Sequence, residues 1–147
     1  MEQRLLKIGA DSLKKAALNE EAKEFILKNE TLFKVLKKAA DRYIGGETIN
    51  ETLLSVRKWN QKGFDVTTDF MGESIRNEKE ANDATTEFVN FAKAIGNEKL
   101  NSSISLDLSH IGLLVSNELA LENLKTICEQ ASKINQEVII SMEGTDR

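Results

Sequence analysis

Four acidic side chains, Asp69, Glu73, Asp107 and Glu143, stand at or just beyond the ends of three short segments that read as β-strands. Carboxylates gathered into one enclosed mouth could bind a cation, orient an arginine or carry protons. Spread over solvent-facing loops, where acidic residues mostly lie, they would do none of this. Asp69 and Asp107 differ from the other two because each continues the inward phase of its strand, as Ser141 does in the third. His110, the only histidine, is either a proton carrier near the mouth or a loop residue, and no nucleophile or base is recognisable beside it. Cys128 lies on an apolar helix stripe and reads as core packing. Trp59 shares a helix face with Val56 and also reads as core, with the alternative that its ring lies on a cofactor. Gly45-Gly46 and Gly112 lack the spacing of a phosphate-cradling loop. A divalent metal among the carboxylates is a further reading, but no ligand spacing is recognisable and no metal ligand is assigned.

The elements that must position these groups follow from periodicity. Asn19 and Asn29 read as helix N-caps, each followed by a glutamate suited to the positive helix end. Leu32, Val35, Leu36 and Ala39 form one face of the helix after Asn29, which is expected to stop at Gly45-Gly46. Thr48-Ile49-Asn50-Glu51 has the form of a capping box, opening a helix with Leu53, Val56 and Trp59 that ends at Gly63. Past Phe64 the texture changes. "DVTTDFMGE" reads as strand and loop, and Asn77 with Glu80 caps a helix expected to reach Gly96. "SSISLDLSHIG" reads as the second strand, "SNELALENLKTICEQASKIN" as a helix, and "EVIISMEG" as the third strand.

Strands alternating with helices imply a parallel sheet with right-handed crossovers. In the second strand Ser103, Ser105, Asp107 and Ser109 occupy one face, and Ile104, Leu106 and Leu108 the other. A doubly wound sheet would be apolar on both faces. One polar face fits a (β/α)8 barrel, with helices outside and polar groups inside near the carboxyl ends of the strands. The expected fold class is therefore α/β: a partial TIM-type barrel of about three βα units where eight are needed. A helical lead-in over residues 1–47 precedes it, and residues 48–147 form the truncated first part of the barrel. The parent sequence is expected to continue past Arg147.

Composition excludes several classes. The net charge of −4 gives no basic surface for nucleic acid. No apolar run approaches the ~18 residues of a membrane span, and no signal-peptide pattern opens the chain. A single cysteine cannot close an internal disulfide, which suits a reducing cytoplasm. Proline is absent, which favours helices with short joints.

At the strand ends the sequence resembles a known family. "TDFMGES" (68–74), "SISLDLSHIGL" (103–113), "ELALENLKTICEQA" (118–131) and "VIISMEG" (138–144) resemble the bacterial flavin-dependent proline dehydrogenases, and "IGGETINETLLSVRKWNQKGFDVTTDFMGE" (44–73) looks like that family's approach to its first strand. The resemblance covers residues 44–147. It implies a distorted (β/α)8 barrel with FAD at its mouth, oxidising L-proline to pyrroline-5-carboxylate. A hydride passes to the flavin, which a membrane quinone or another acceptor reoxidises. It would thus be a cytoplasmic protein that can lie peripherally at the inner face of the membrane.

The resemblance assigns Asp69, Glu73 and Glu143 to the substrate and flavin pocket, with Glu73 helping to hold a substrate-binding arginine. It also exposes two departures. The family's second strand carries a lysine that attracts the substrate carboxylate, and Asp107 stands there; its third strand usually has an aspartate, and Ser141 stands there. At ~4 Å and an effective dielectric near 20, exchanging the cation for an anion turns ~4 kcal/mol of attraction into repulsion. An alternative reading is therefore a catalytically degenerate relative acting as a binding or regulatory module. FAD is expected for the complete protein and not for this chain alone, which is expected to be inactive and to self-associate through its open sheet edge.

Overall fold

A computed structural model describes residues 2–141 of the chain. Glu143, and the end of the third strand segment with it, lie outside the described residues. The chain divides after Gly45 into two compact units.

The first unit is helical: α1 (Glu2–Ala17), α2 (Glu20–Lys28) and α3 (Glu30–Ala40). Asparagine side chains punctuate it as their chemistry dictates, because a short amide can take up the orphan N–H groups of a first turn. Asn19 accepts from the Ala22 N–H at 3.0 Å. Asn29 closes α2 and opens α3 in one residue, accepting from the Leu32 N–H at 3.0 Å. The apolar face of α3 forms as expected, but neither α2 nor α3 buries a side chain, and Val35 remains 63% exposed.

The second unit has the order α4 (Ile49–Asn60), β1 (Val66–Asp69), α5 (Glu78–Glu98), β2 (Ser102–Asp107), α6 (Asn117–Ser132) and β3 (Val138–Ser141). The strands lie side by side in that order, both pairs parallel. Each helix begins on a side-chain cap: Thr48 accepts from the Glu51 N–H at 3.3 Å, Asn77 from Glu80 at 2.8 Å and Ser116 from Leu119 at 3.1 Å. Glu51 completes its cap by accepting from the Glu47 N–H at 2.8 Å. Gly96 does not end α5, which runs on to Glu98 and turns at Lys99 with φ 53°. The glycine serves packing instead, since a Cβ there would come within 2.7 Å of Ile134 Cγ2.

Helices cover one face of the sheet. Ile104 and Leu106 of β2 pack with Phe88 and Ala92 of α5, Ile127 of α6, and Ile111. Leu53 and Val56 of α4 pack with Ile95, flanked by Val66 and Leu100. Two hydroxyls on this covered side satisfy each other, Thr68 Oγ1 lying 3.2 Å from Ser102 Oγ. The other side of β2 presents Ser103, Ser105 and Asp107, none of them buried. This is the one-sided pattern read from the sequence, and the fold is α/β with the strand order of a barrel segment.

Three residues sit elsewhere than expected. Trp59 is not core: it is 45% exposed, edge-on to Phe64 at 5.6 Å, with Lys62 Nζ 4.6 Å from its ring. Cys128 is exposed as well. The stripe α6 turns inward is Ala120, Asn123, Ile127 and Ala131, and the residue after Ile127 is rotated ~100° off it. Asn123 takes the place by donating to the Ile111 carbonyl at 3.0 Å. Ser109 does not continue the polar face of β2, because the chain turns after Asp107 and buries it.

Leu106 is fully buried at the centre of this packing. Leu106→Ala is expected to cost about 2–5 kcal/mol in urea unfolding, against less than ~0.5 kcal/mol for Leu54→Ala on an exposed face.

Candidate functional site

The strand register decides which side chains share the uncovered face. Thr67 pairs with Ser103 and Asp69 with Ser105; on the other side of β2, Asp107 pairs with Ser141. The Thr67 and Ser103 hydroxyls meet across the strands at 2.9 Å. Side chains alternate along a strand, so Asp69, Asp107 and Ser141 all project on this side at its carboxyl end. Asp69 and Asp107 are diagonal neighbours one strand and two residues apart, ~8 Å by ordinary strand spacing and rise.

Electrostatics records that proximity. The Asp69 carboxyl is held above the usual carboxylate range, first by burial and second by the Asp107 charge. The Asp107 carboxylate curls onto its own chain, Oδ1 accepting from the Ser109 N–H at 2.6 Å while its carbonyl accepts from the His110 N–H at 3.0 Å. This is how short acidic side chains favour tight turns, and here it terminates β2.

The turn then grips the loop that follows β1. Ser109 Oγ accepts from the Ser74 N–H at 3.0 Å, and its carbonyl accepts from Ile75 N–H at 3.1 Å. His110 is a loop residue, in the turn after β2, but it is buried there, 4% exposed, and is not an accessible proton carrier. Its ring lies against Phe70 at 5.0 Å and Phe88 at 5.5 Å. Burial pulls the imidazole below its ordinary pKa, against weaker upward pulls from a hydrogen bond with the Phe70 backbone and from Asp107. Its Nδ1 is buried and has no partner among the described residues. Gly72 lies directly against the ring, leaving no room for a Cβ. Glu73, between Gly72 and Ser74, is exposed.

The structure thus gathers Asp69, Asp107 and Ser141 on one face and sets Glu73 in the loop after Asp69. Glu143 lies outside the described residues. The contacts of Ser109 and His110 with the loop carried no sequence signal beyond their place two and three residues after Asp107. None of β1, β2 and β3 carries a lysine or arginine. Among the described residues no group of three or more His, Cys, Asp or Glu is arranged to hold a metal ion, and no helix is long and apolar enough to cross a membrane.

The profile of the proline dehydrogenase family matches residues 52–147. The chain belongs to that family. It is 38% identical over 124 residues to proline dehydrogenase 1 of Bacillus subtilis strain 168, a match spanning 81% of this chain and 41% of the relative. Proline dehydrogenase 2 of the same strain is 33% identical over 109 residues, 74% of this chain and 36% of the relative. The chain therefore spans less than half the length of either. A crystal structure of proline utilization A (PutA) from Bdellovibrio bacteriovorus inactivated by N-propargylglycine superposes with TM-score 0.69 at 18% identity, over 82% of this chain and 15% of that one. That likeness is one of fold.

FAD is the cofactor that the family resemblance implies. A flavin dinucleotide carries a diphosphate, and an amino-acid substrate a carboxylate; both call for cations or clustered N–H donors. The uncovered face offers hydroxyls, two aspartates and Ile139. These residues suit an uncharged or cationic part of a ligand and do not by themselves fit the anionic parts of FAD.

The raised Asp69 carboxyl has a pH signature. A carboxyl whose folded pKa exceeds its unfolded value contributes stability that is full below the unfolded pKa, near 3.8, and is lost as pH rises through the folded value. Asp69→Asn is therefore expected to be more stable than the parent at neutral pH, with the advantage vanishing as acid titration approaches pH 3.8. Parallel thermal unfolding series across pH would check it, and a pH-independent difference would refute it.

Proposed function

We propose that residues 48–147 are the amino-terminal part of the barrel of an FAD-dependent oxidoreductase that converts L-proline to pyrroline-5-carboxylate, residues 1–47 being a helical lead-in. The observation that carries this reading is the family match over the same stretch that brings Asp69, Asp107 and Ser141 to one strand-end face. FAD, when bound, would accept a hydride from the substrate, and a quinone or another acceptor would reoxidise it. Within this chain Asp69, Glu73 and Glu143 would line the substrate and flavin pocket. The cations for the diphosphate and the substrate carboxylate would come from segments other than β1–β3. A cytoplasmic site of action, at the inner face of the membrane where a quinone is met, goes with this reading.

A second reading rests on the Asp69–Asp107 repulsion. Two carboxylates, with no lysine or arginine in β1, β2 or β3, suit a degenerate barrel that binds or regulates without turning over proline. The longer protein containing this chain, assayed with L-proline and an artificial electron acceptor, separates the two. We expect turnover and flavin absorbance. A folded, flavin-free protein without turnover would establish the second reading.

The isolated 147-residue chain is expected to be inactive and to lack bound flavin. Among the described residues β1 and β3 each pair on one side only, and unpaired strand edges recruit further strands. Sedimentation velocity is expected to show species larger than a monomer; a single monomeric boundary would refute this.

A further inference from the structure

We propose that Ser109 and His110 are positioning residues which together latch the β1–α5 loop and fix the placement of Glu73. Glu73 lies between two restrained neighbours. On one side Gly72 lies against the His110 ring so closely that a single added carbon would overlap it. On the other, Ser74 donates its N–H to Ser109 Oγ at 3.0 Å, and Ile75 donates to the Ser109 carbonyl at 3.1 Å. Ser109 is fully buried, so water cannot take over its role without opening the loop. Ser74 holds φ 60°, a left-handed conformation uncommon outside glycine and costly unless surrounding contacts enforce it. The restraint begins in the sheet: Asp107 Oδ1 accepts from the Ser109 N–H at 2.6 Å. The last residue of β2 thus sets the serine that sets the loop after β1. His110 supplies the opposite jaw, its ring held in turn by Phe70 and Phe88.

Both jaws act at one point. The carboxyl ends of barrel strands are where such folds keep their chemistry, so a loop held there sets where a substrate-binding group stands. The functional consequence rests on the proline-oxidation reading above, which assigns Glu73 to the pocket; the latch itself does not.

The test uses the longer protein containing this chain. Ser109→Ala removes the acceptor of the Ser74 N–H. Its KM for L-proline is expected to rise about five- to tenfold, the order of one lost hydrogen bond, with kcat within about twofold, the signature of weakened uniform binding. Because the serine acts through Glu73, adding Ser109→Ala to Glu73→Ala should leave KM where Glu73→Ala alone puts it. Additive effects, or an unchanged KM in the folded single variant, would overturn the assignment. A second measurement needs no variant and no turnover: in the unaltered protein the Ser74 and Ile75 amides should exchange hydrogen as slowly as amides of β2. Fast exchange at both removes the latch even if Ser109→Ala fails to fold. Slow exchange in a protein that does not oxidise proline sustains the latch and removes the proposed function.

Discussion

Everything in the second unit depends on parallel strands of which β1 and β2 are greasy on one side only. Parallel pairing forces each connection to cross back over the sheet, and α5 and α6 do so on the side where Ile104 and Leu106 point. The hydrophobic effect is thereby spent on a single layer. The opposite side, with Thr67, Asp69, Ser103, Ser105 and Asp107, cannot serve as a second hydrophobic core. A sheet of this kind curls around its polar side in a barrel, and the family match and the structural likeness to proline utilization A agree with that outcome.

The polar side is also where the chain departs from an easy substrate site. Two carboxylates occupy the rim, and burial and then the Asp107 charge raise the cost of ionising Asp69. The structure gives Asp107 a role that needs an acceptor and not a cation: it ties down the turn after β2 through the Ser109 N–H. A lysine could not do this, having donors and no acceptor. Asp107 is therefore locally consistent, whatever it contributes to ligand binding.

Local chemistry was the part of this fold most legible in the sequence. The Thr48, Asn77 and Asn29 caps depend on groups three residues apart, and all three appear as read. The alternation in β2 is similarly local and gave the one-sided sheet. Where the outcome depended on distant partners the reading failed. Cys128 and Ile127 look alike in an apolar stripe, yet only the rotation of α6 against the sheet decides which is buried. Gly96 looked like a helix stop because nothing nearby foretells Ile134 arriving from beyond α6. His110 was legible as a loop residue but its burial was not, since that is created by Phe70 and Gly72 of the β1–α5 loop and Phe88 of α5. Of the candidate pocket, the shared face of Asp69 and Asp107 was legible from phase, and the grip of the turn on the neighbouring loop was not.

The side-by-side order of the strands also bears on how the chain reaches its shape. β1 can find its neighbour only after the 21 residues of α5 and the start of β2 exist. Contacts so far apart in sequence are slow to form, since closing the intervening segment costs entropy before any pairing repays it. During synthesis, which delivers the amino-terminal end first, β1 must wait bare. The short span of that strand, Val66–Asp69, with Thr67, Thr68 and Asp69 making up most of it, limits how adhesive it can be in the interval.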